Sequence, residues 1–212
     1  MMVGVTKLAA HRPSRRDEIV AAAVAVFAER GFVDTALSDI AQAADVAVTA
    51  VYYHFAGKED LYGAAIGSVL TSIDEVVANV RPDDGPVESD TLNRVIDAVW
   101  DWVDTNPQPA RLMHLHTPAA TRQAAQMRRE FDELHVGRAF AYLRDSPGGE
   151  SAKKYRAGMA TLAIRTLVDM LIAIHPMRMP GGPLSGCSPA KVRDATKALA
   201  ARLIVESSDP PI

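Results

Sequence analysis

The chain has 212 residues, 48% apolar and 23% charged, with a formal net charge of −3; this excludes wholesale disorder and leaves room for one large domain or two small ones. Its single cysteine, Cys187, excludes a disulfide framework and a thiolate-only metal cluster. The longest unbroken apolar run, residues 19–28, has ten residues, short of the roughly 20 a membrane span needs, and Lys7, His11, Arg12, Arg15 and Arg16 interrupt the start, so a cytoplasmic protein without a secretory signal or membrane partner is expected.

Residues 1–13 carry no periodic pattern and read as a flexible arm. Ile19, Ala22, Ala23, Val26 and Phe27 then place apolar residues at three- and four-residue spacing, an amphipathic helix. Ser14 is its expected N-cap, Asp17 and Glu18 suit the positive end of its dipole, and Gly31 stops it in a left-handed conformation. Short helices are expected at 37–44 and 48–54, with a turn around Asp45, Val46 and Ala47 between them, and a longer one from 58 to about 80. Turn formers break the chain at 81–86, a helix spans Leu92 to Val103, and Pro107, Pro109 and Pro118 separate segments. Further helices are expected at about 121–143, 155–175 and 189–206, with 176–189 a proline-rich loop. The segment 155–175 is apolar over much of its circumference and should be buried on more than one side. No alternating strand pattern appears, so the fold class is all-α with about nine helices.

Residues 36–55 have a chemistry beyond packing. A short helix, a tight turn and a second helix form the unit that places its second helix in the major groove of DNA. Ala41 is small where the helices would cross, Val46 plugs the turn, and Val51 faces the same core. Val48, Thr49, Tyr52 and Tyr53 are left facing outward. The tyrosines offer hydroxyls for phosphate oxygens and rings for sugar or thymine-methyl contact. A helix–turn–helix pattern alone is more often a packing motif, and Phe55 reads as core.

The chain resembles the TetR (TetR/AcrR-type) family of transcriptional regulators over about residues 15–66. The matching residues are Ile19-Val20, the run from Phe27 to Phe32, Thr35, Asp39-Ile40-Ala41, Ala44, Val46, Val51-Tyr52-Tyr53-His54-Phe55 and Lys58-Glu59-Asp60-Leu61. The resemblance implies a DNA-binding helix-turn-helix head at 14–66, followed by a helical ligand-binding and dimerisation body at 67–212. It implies phosphate contact by Tyr52, His54 and Lys58, groove contact by Thr49 and Tyr53, and a backbone or base-edge contact by Ser38. The implied partners are palindromic double-stranded DNA, a second copy of the chain docked through about 155–175 and 189–206, and a small-molecule effector. A repressor released by a small apolar or amphipathic ligand is the function expected; a DNA binder or architectural protein without a ligand is the alternative.

The chain departs from the family at the recognition helix. Ala47 stands where a Ser or Thr cap is frequent, Val48 where a small polar or basic residue is frequent, and Asp45 where the turn often has glycine. An Ala cap forfeits about 1 kcal/mol, and an apolar Val48 meets at most a thymine methyl. Charge is also local. Residues 1–16 hold Lys7, Arg12, Arg15 and Arg16 and no acid, and read as a basic arm able to touch phosphates or the minor groove. Residues 1–58 balance six cations against six anions, so the net −3 belongs to the body.

In the body, Trp100, Trp102, Met113, Phe131, Met159 and Met170 are bulky enough to line an apolar ligand pocket, though each also serves as ordinary core. Arg165 would bind a ligand carboxylate or pair with Asp169 at i+4. His114 and His116, with Asp132, Glu133 and His135, have a metal-like composition, but His-x-His on a helix points its rings about 200° apart and chance spacing accounts for it. No metal, cofactor or catalytic residue is expected. There is no nucleophile elbow, phosphate loop or paired-histidine motif, and Ser185 and Cys187 have no base identifiable nearby, so an enzyme is not expected.

Overall fold

The computed structural model describes residues 14–80, 90–115, 121–140 and 150–208, and among these all regular structure is α-helical. The helices are α1 (Arg15–Arg30), α2 (Leu37–Ala43), α3 (Val48–His54), α4 (Lys58–Val80), α5 (Thr91–Thr105), α6 (Pro107–Leu115), α7 (Arg122–Phe140), α8 (Glu150–Arg178) and α9 (Pro189–Ser208).

α1 begins at a closed capping box. The Asp17 amide donates to the Ser14 hydroxyl oxygen at 3.2 Å, and the Ser14 amide donates to the Asp17 carboxylate at 3.2 Å, so two otherwise orphaned donors are satisfied. Gly31 ends the helix at φ 77°, ψ 174°: the positive φ expected of glycine, but with an extended ψ that is essentially glycine-only. α2 and α4 use acids at their starts instead of a hydroxyl. The Asp39 carboxylate accepts from the Ala36 amide at 2.9 Å, and that of Asp60 from the Ala56 amide at 3.0 Å.

In the head, Ile19, Ala23 and Phe27 of α1 are buried with Ile40 and Ala41 of α2, Val51 of α3, Phe55, and Leu61 of α4. The Phe27 ring meets Tyr62 edge-on at 4.9 Å, and Phe32 closes the cluster at 4.9 Å from Tyr62. Burial pushes the Tyr62 phenol above its ordinary pKa.

α4 serves both regions. Leu61, Tyr62 and Ala65 are buried in the head, and Val69, Leu70, Ile73 and Val77 in the body, within one continuous apolar core. The boundary expected at residue 66 therefore falls inside an unbroken helix, and α1 packs on α6 as well as on α4. By length and composition alone α4 would cross a membrane, but 50% of its apolar window is buried against other helices. α7 comes close to α4 because Gly63 and Gly67 lack a side chain. A Cβ there would lie 2.6 Å from Gln123 Cδ and 2.9 Å from Met127 Cε.

Two proline expectations are corrected. Pro107 does divide α5 from α6, as expected, by opening the latter, but Pro109 does not separate segments: it lies in the first turn of α6, whose amides have no intrahelical acceptor to lose. Pro176 lies inside α8, near its end, where the missing amide removes only a late rung. The loop is thus residues 179–188, a chain of turns in which the Gly182 amide donates to the Met179 carbonyl at 2.8 Å. The breaks expected at 81–86 and at Pro118 lie outside the described residues.

α8 buries Leu167, Leu171, Ile172 and Ile174 against its own chain, while Leu162 stays 57% exposed, so a single protomer does not cover the helix on every described side. Three aspartates tie α5 to α8 and α9: Asp97 pairs with Lys197 at 2.7 Å, Asp101 with Arg193, and Asp104 with Arg178.

Candidate nucleic-acid interface

The turn between α2 and α3 is built by backbone hydrogen bonds. The Asp45 amide donates to the Gln42 carbonyl at 3.2 Å and the Val46 amide to the Ala41 carbonyl at 2.9 Å. To make both, Asp45 adopts φ 52°, the one positive φ among described non-glycine residues. Aspartate is among the few side chains that tolerate this region, which accounts for its place in a turn where glycine would serve. Ala41 and Val51 are buried and Val46 packs on the core, so the two helices are locked as a unit.

That lock determines which side of α3 is free. Val48, Thr49, Tyr52 and Tyr53 occupy i, i+1, i+4 and i+5 positions and all four are exposed, Tyr53 by 85%. Ser38, second residue of α2, is exposed too. His54 is half-buried, its ring 5.0 Å from that of Tyr53, and Phe55 is buried as core. Ala47 begins α3 with no side-chain cap, as its methyl dictates.

Lys58 is placed differently from a free surface cation. Its ammonium donates to the Thr35 carbonyl at 2.9 Å and the Val33 carbonyl at 3.2 Å, and lies 4.6 Å from the Phe32 ring. It clasps the α1–α2 loop to the start of α4, leaving one N–H for an outside acceptor. The basic arm also shrinks. Arg15 and Arg16 belong to the first turn of α1, where Arg15 pairs with Glu18 at 2.9 Å and the Arg16 guanidinium stands 5.0 Å over the Phe55 ring. Ser14 as N-cap already carried that signal, since whatever follows a cap is helical. Lys7 and Arg12 lie outside the described residues. Arg16, expected in the basic arm, thus stands at the edge of the α3 unit. Val33 is 83% exposed in the α1–α2 loop, which no sequence signal predicts.

The residues expected to line a pocket are set differently in the described structure, the two tryptophans most clearly. Trp100 and Trp102 are two residues apart on α5 and point in different directions, as a helix requires. Trp100 is buried beneath the guanidiniums of Arg178 and Arg193, at 4.3 and 5.2 Å. Trp102 faces α4, where its Nε1 donates to the Ser72 hydroxyl at 2.9 Å. An open cleft of about 290 Å³ lies there, lined by Ala21, Val24, Ser68, Val69, Trp102 and Gln108 among others. Met113 and Phe131 are buried, Met159 and Met170 half-buried, and Arg165 exposed. His114 and Glu133 are exposed, while His116 and the side chains of Asp132 and His135 lie outside the described residues.

Residues 19–65, which hold most of this interface, match the model of the bacterial regulatory proteins of the tetR family. The chain is 29% identical over 129 residues to the HTH-type transcriptional regulator BetI of Stenotrophomonas maltophilia, covering 58% of this chain and 66% of that protein. It is 27% identical over 116 residues to the HTH-type transcriptional repressor NicS of Pseudomonas putida, covering 53% and 54%. The matches thus span about half to two thirds of these relatives' lengths. The fold extends further: a transcriptional regulator from Rhodococcus sp. Rha1 superposes with a TM-score of 0.71 at 18% identity, over 93% of this chain and 100% of that one. Residues 19–65 are thus a regulatory head of the tetR family, carried on a helical chain whose fold is that of the solved transcriptional regulator.

Proposed function

We propose that this chain is a homodimeric, one-component regulator that binds a palindromic operator in the cytoplasm and acts as a repressor released by a small apolar or amphipathic molecule. The observation that carries this is the outward face of α3, with Val48, Thr49, Tyr52 and Tyr53 exposed on a helix fixed by its turn. Exposed side chains that offer hydroxyls, rings and methyls suit a groove. Ser38, His54 and the remaining N–H of Lys58 flank that face as phosphate contacts.

The second copy is supported by α8 and α9, which pack on one another and leave Leu162 and Leu199 exposed by 57% and 52%. Pairing these helices about a two-fold axis would present two α3 helices, and a palindrome is read when they sit one helical turn apart, roughly 34–36 Å. Release by a ligand requires only that it favour another spacing of the two heads. The similarity to a named repressor supports repression.

Selection of duplexes from a random pool tests the DNA partner. One palindromic sequence should be enriched, and Tyr52→Phe and His54→Ala should bind it more weakly while melting like the parent. No enrichment over bulk DNA would overturn the reading. In sedimentation, the chain should be a dimer and Leu162→Glu with Leu199→Glu a folded monomer; a monomeric parent would overturn that part.

A further inference from the structure

The face that α3 presents is unusual in what it lacks. Its four exposed side chains are valine, threonine and two tyrosines, with no Arg, Lys, Asn, Gln, Asp or Glu among them. The common specific contacts in the major groove are bidentate: Arg or Lys to the O6 and N7 of guanine, Asn or Gln to the N6 and N7 of adenine. No residue of α3 can make one. Gln42, an exposed amide, sits near the far end of α2 from Ser38, on the helix that crosses the backbone.

What this face does carry is apolar. In a helix-turn-helix the N-terminal residues of the second helix reach the base edges. Here those are Val48, 37% exposed, and Thr49, also exposed, so two methyl-bearing branched side chains meet the groove floor first. The one apolar group that the major groove displays is the C5-methyl of thymine. The aromatic faces of Tyr52 and Tyr53, 60% and 85% exposed, extend the same surface along the helix.

Resting on the DNA-binding reading above, we infer that Val48 and Thr49 are the specificity-determining residues and that they read thymine C5-methyl groups rather than guanine or adenine hydrogen-bonding edges. The Thr49 hydroxyl adds one single-point hydrogen bond to a neighbouring base, which fixes register without replacing the methyl contact. Operator half-sites are accordingly thymine-bearing where α3 enters, and discrimination per base pair is modest, because each methyl contributes by burial alone.

The test removes only the methyls. After the preferred duplex is selected from a random pool, each thymine of the half-site is replaced in turn by deoxyuridine, which keeps the base pair and its hydrogen-bonding edge. Binding is read by fluorescence anisotropy. At one or two positions the affinity should fall about fourfold for each buried methyl removed, and about fifteenfold when both half-sites lose it. Val48→Ala should bind the thymine duplex more weakly and show no thymine–deoxyuridine difference at its position. Thr49→Ser, which keeps the hydroxyl and loses the methyl, should do the same at its own, so a folding defect in one variant does not decide the matter. Equal binding of every deoxyuridine duplex, or a selected half-site without thymine, overturns the methyl inference alone. Failure to select any sequence overturns the DNA reading with it.

Discussion

The two ends of α4 serve regions built in opposite ways. At its start, Leu61, Tyr62 and Ala65 complete a head whose interior is ordinary packing and whose distinctive side chains point outward from α3. Further along, Val69, Leu70, Ile73 and Val77 complete a body whose distinctive side chains, Trp100, Trp102, Met113 and Phe131, all point inward. A largely exposed tyrosine needs an external explanation, whereas a buried tryptophan does not. Outward chemistry therefore marks a site, and inward chemistry is shared between pocket and core.

The largest effect bears on whether head and body are separable at all. Phe27 is fully buried and stacks in the aromatic cluster with Phe32 and Tyr62. Phe27→Ala should cost about 3–5 kcal/mol through reduced burial and the cavity left behind. Because the apolar core is continuous through α4, the destabilisation should appear equally in circular dichroism and in the fluorescence of Trp100 and Trp102, which report the body. A tryptophan transition unmoved while part of the helical signal melts early would show the head to be an independent unit.

At the body end, Ser72→Ala removes the acceptor of the Trp102 Nε1 hydrogen bond. A buried indole N–H left unpaired costs about 1–3 kcal/mol, and the operator affinity of the folded protein should stay unchanged. At the head end, Lys58→Met removes two hydrogen bonds to the carbonyls of Val33 and Thr35. That should cost about 1–2 kcal/mol in urea unfolding. It should also lower DNA affinity with a shallower salt dependence, by about 0.9 in the logarithmic slope for each phosphate no longer neutralised. Unchanged stability with only the slope altered would make Lys58 a phosphate ligand and nothing more.

The same contrast explains how much the sequence discloses. The starts of α1 and α4 follow from Ser14 and from the Glu59-Asp60 pair, because caps and dipoles act within one turn of the residues that cause them. The face of α3 follows as well, since burying Val51 turns 49, 52 and 53 outward and leaves 48 on the flank, where it is 37% exposed. Where partners are distant in sequence, little can be read. The carbonyls that hold Lys58 lie 23 and 25 residues away, so a cation expected to reach outward is turned toward its own loop. Trp100 and Trp102 look alike as residue types, and only the helices facing each of them separate their roles. Proline misleads for a third reason: Pro107 marks a real break, but Pro109 sits in the first turn of α6, where a proline is tolerated, and the sequence pattern does not distinguish the two.

The smallest effect tests the weakest joint of the head. Ala47 holds φ −68° and ψ 147°, the extended geometry in which a serine or threonine cap would accept from an amide two or three residues on, but its methyl accepts nothing. Ala47→Ser should therefore stabilise the protein by about 1 kcal/mol, seen as a rise of about 2–4 °C in Tm for a chain of this size. Val51 anchors α3 from beneath and the outward face stays the same, so operator affinity should change by less than about twofold. If affinity instead rose in step with stability, the unliganded head would be spending part of its time with α3 frayed, and DNA would be selecting the ordered fraction. The comparison between the two regions would then change in kind. The outward face would be a surface whose order is itself part of binding, while the inward-packed body stays fixed.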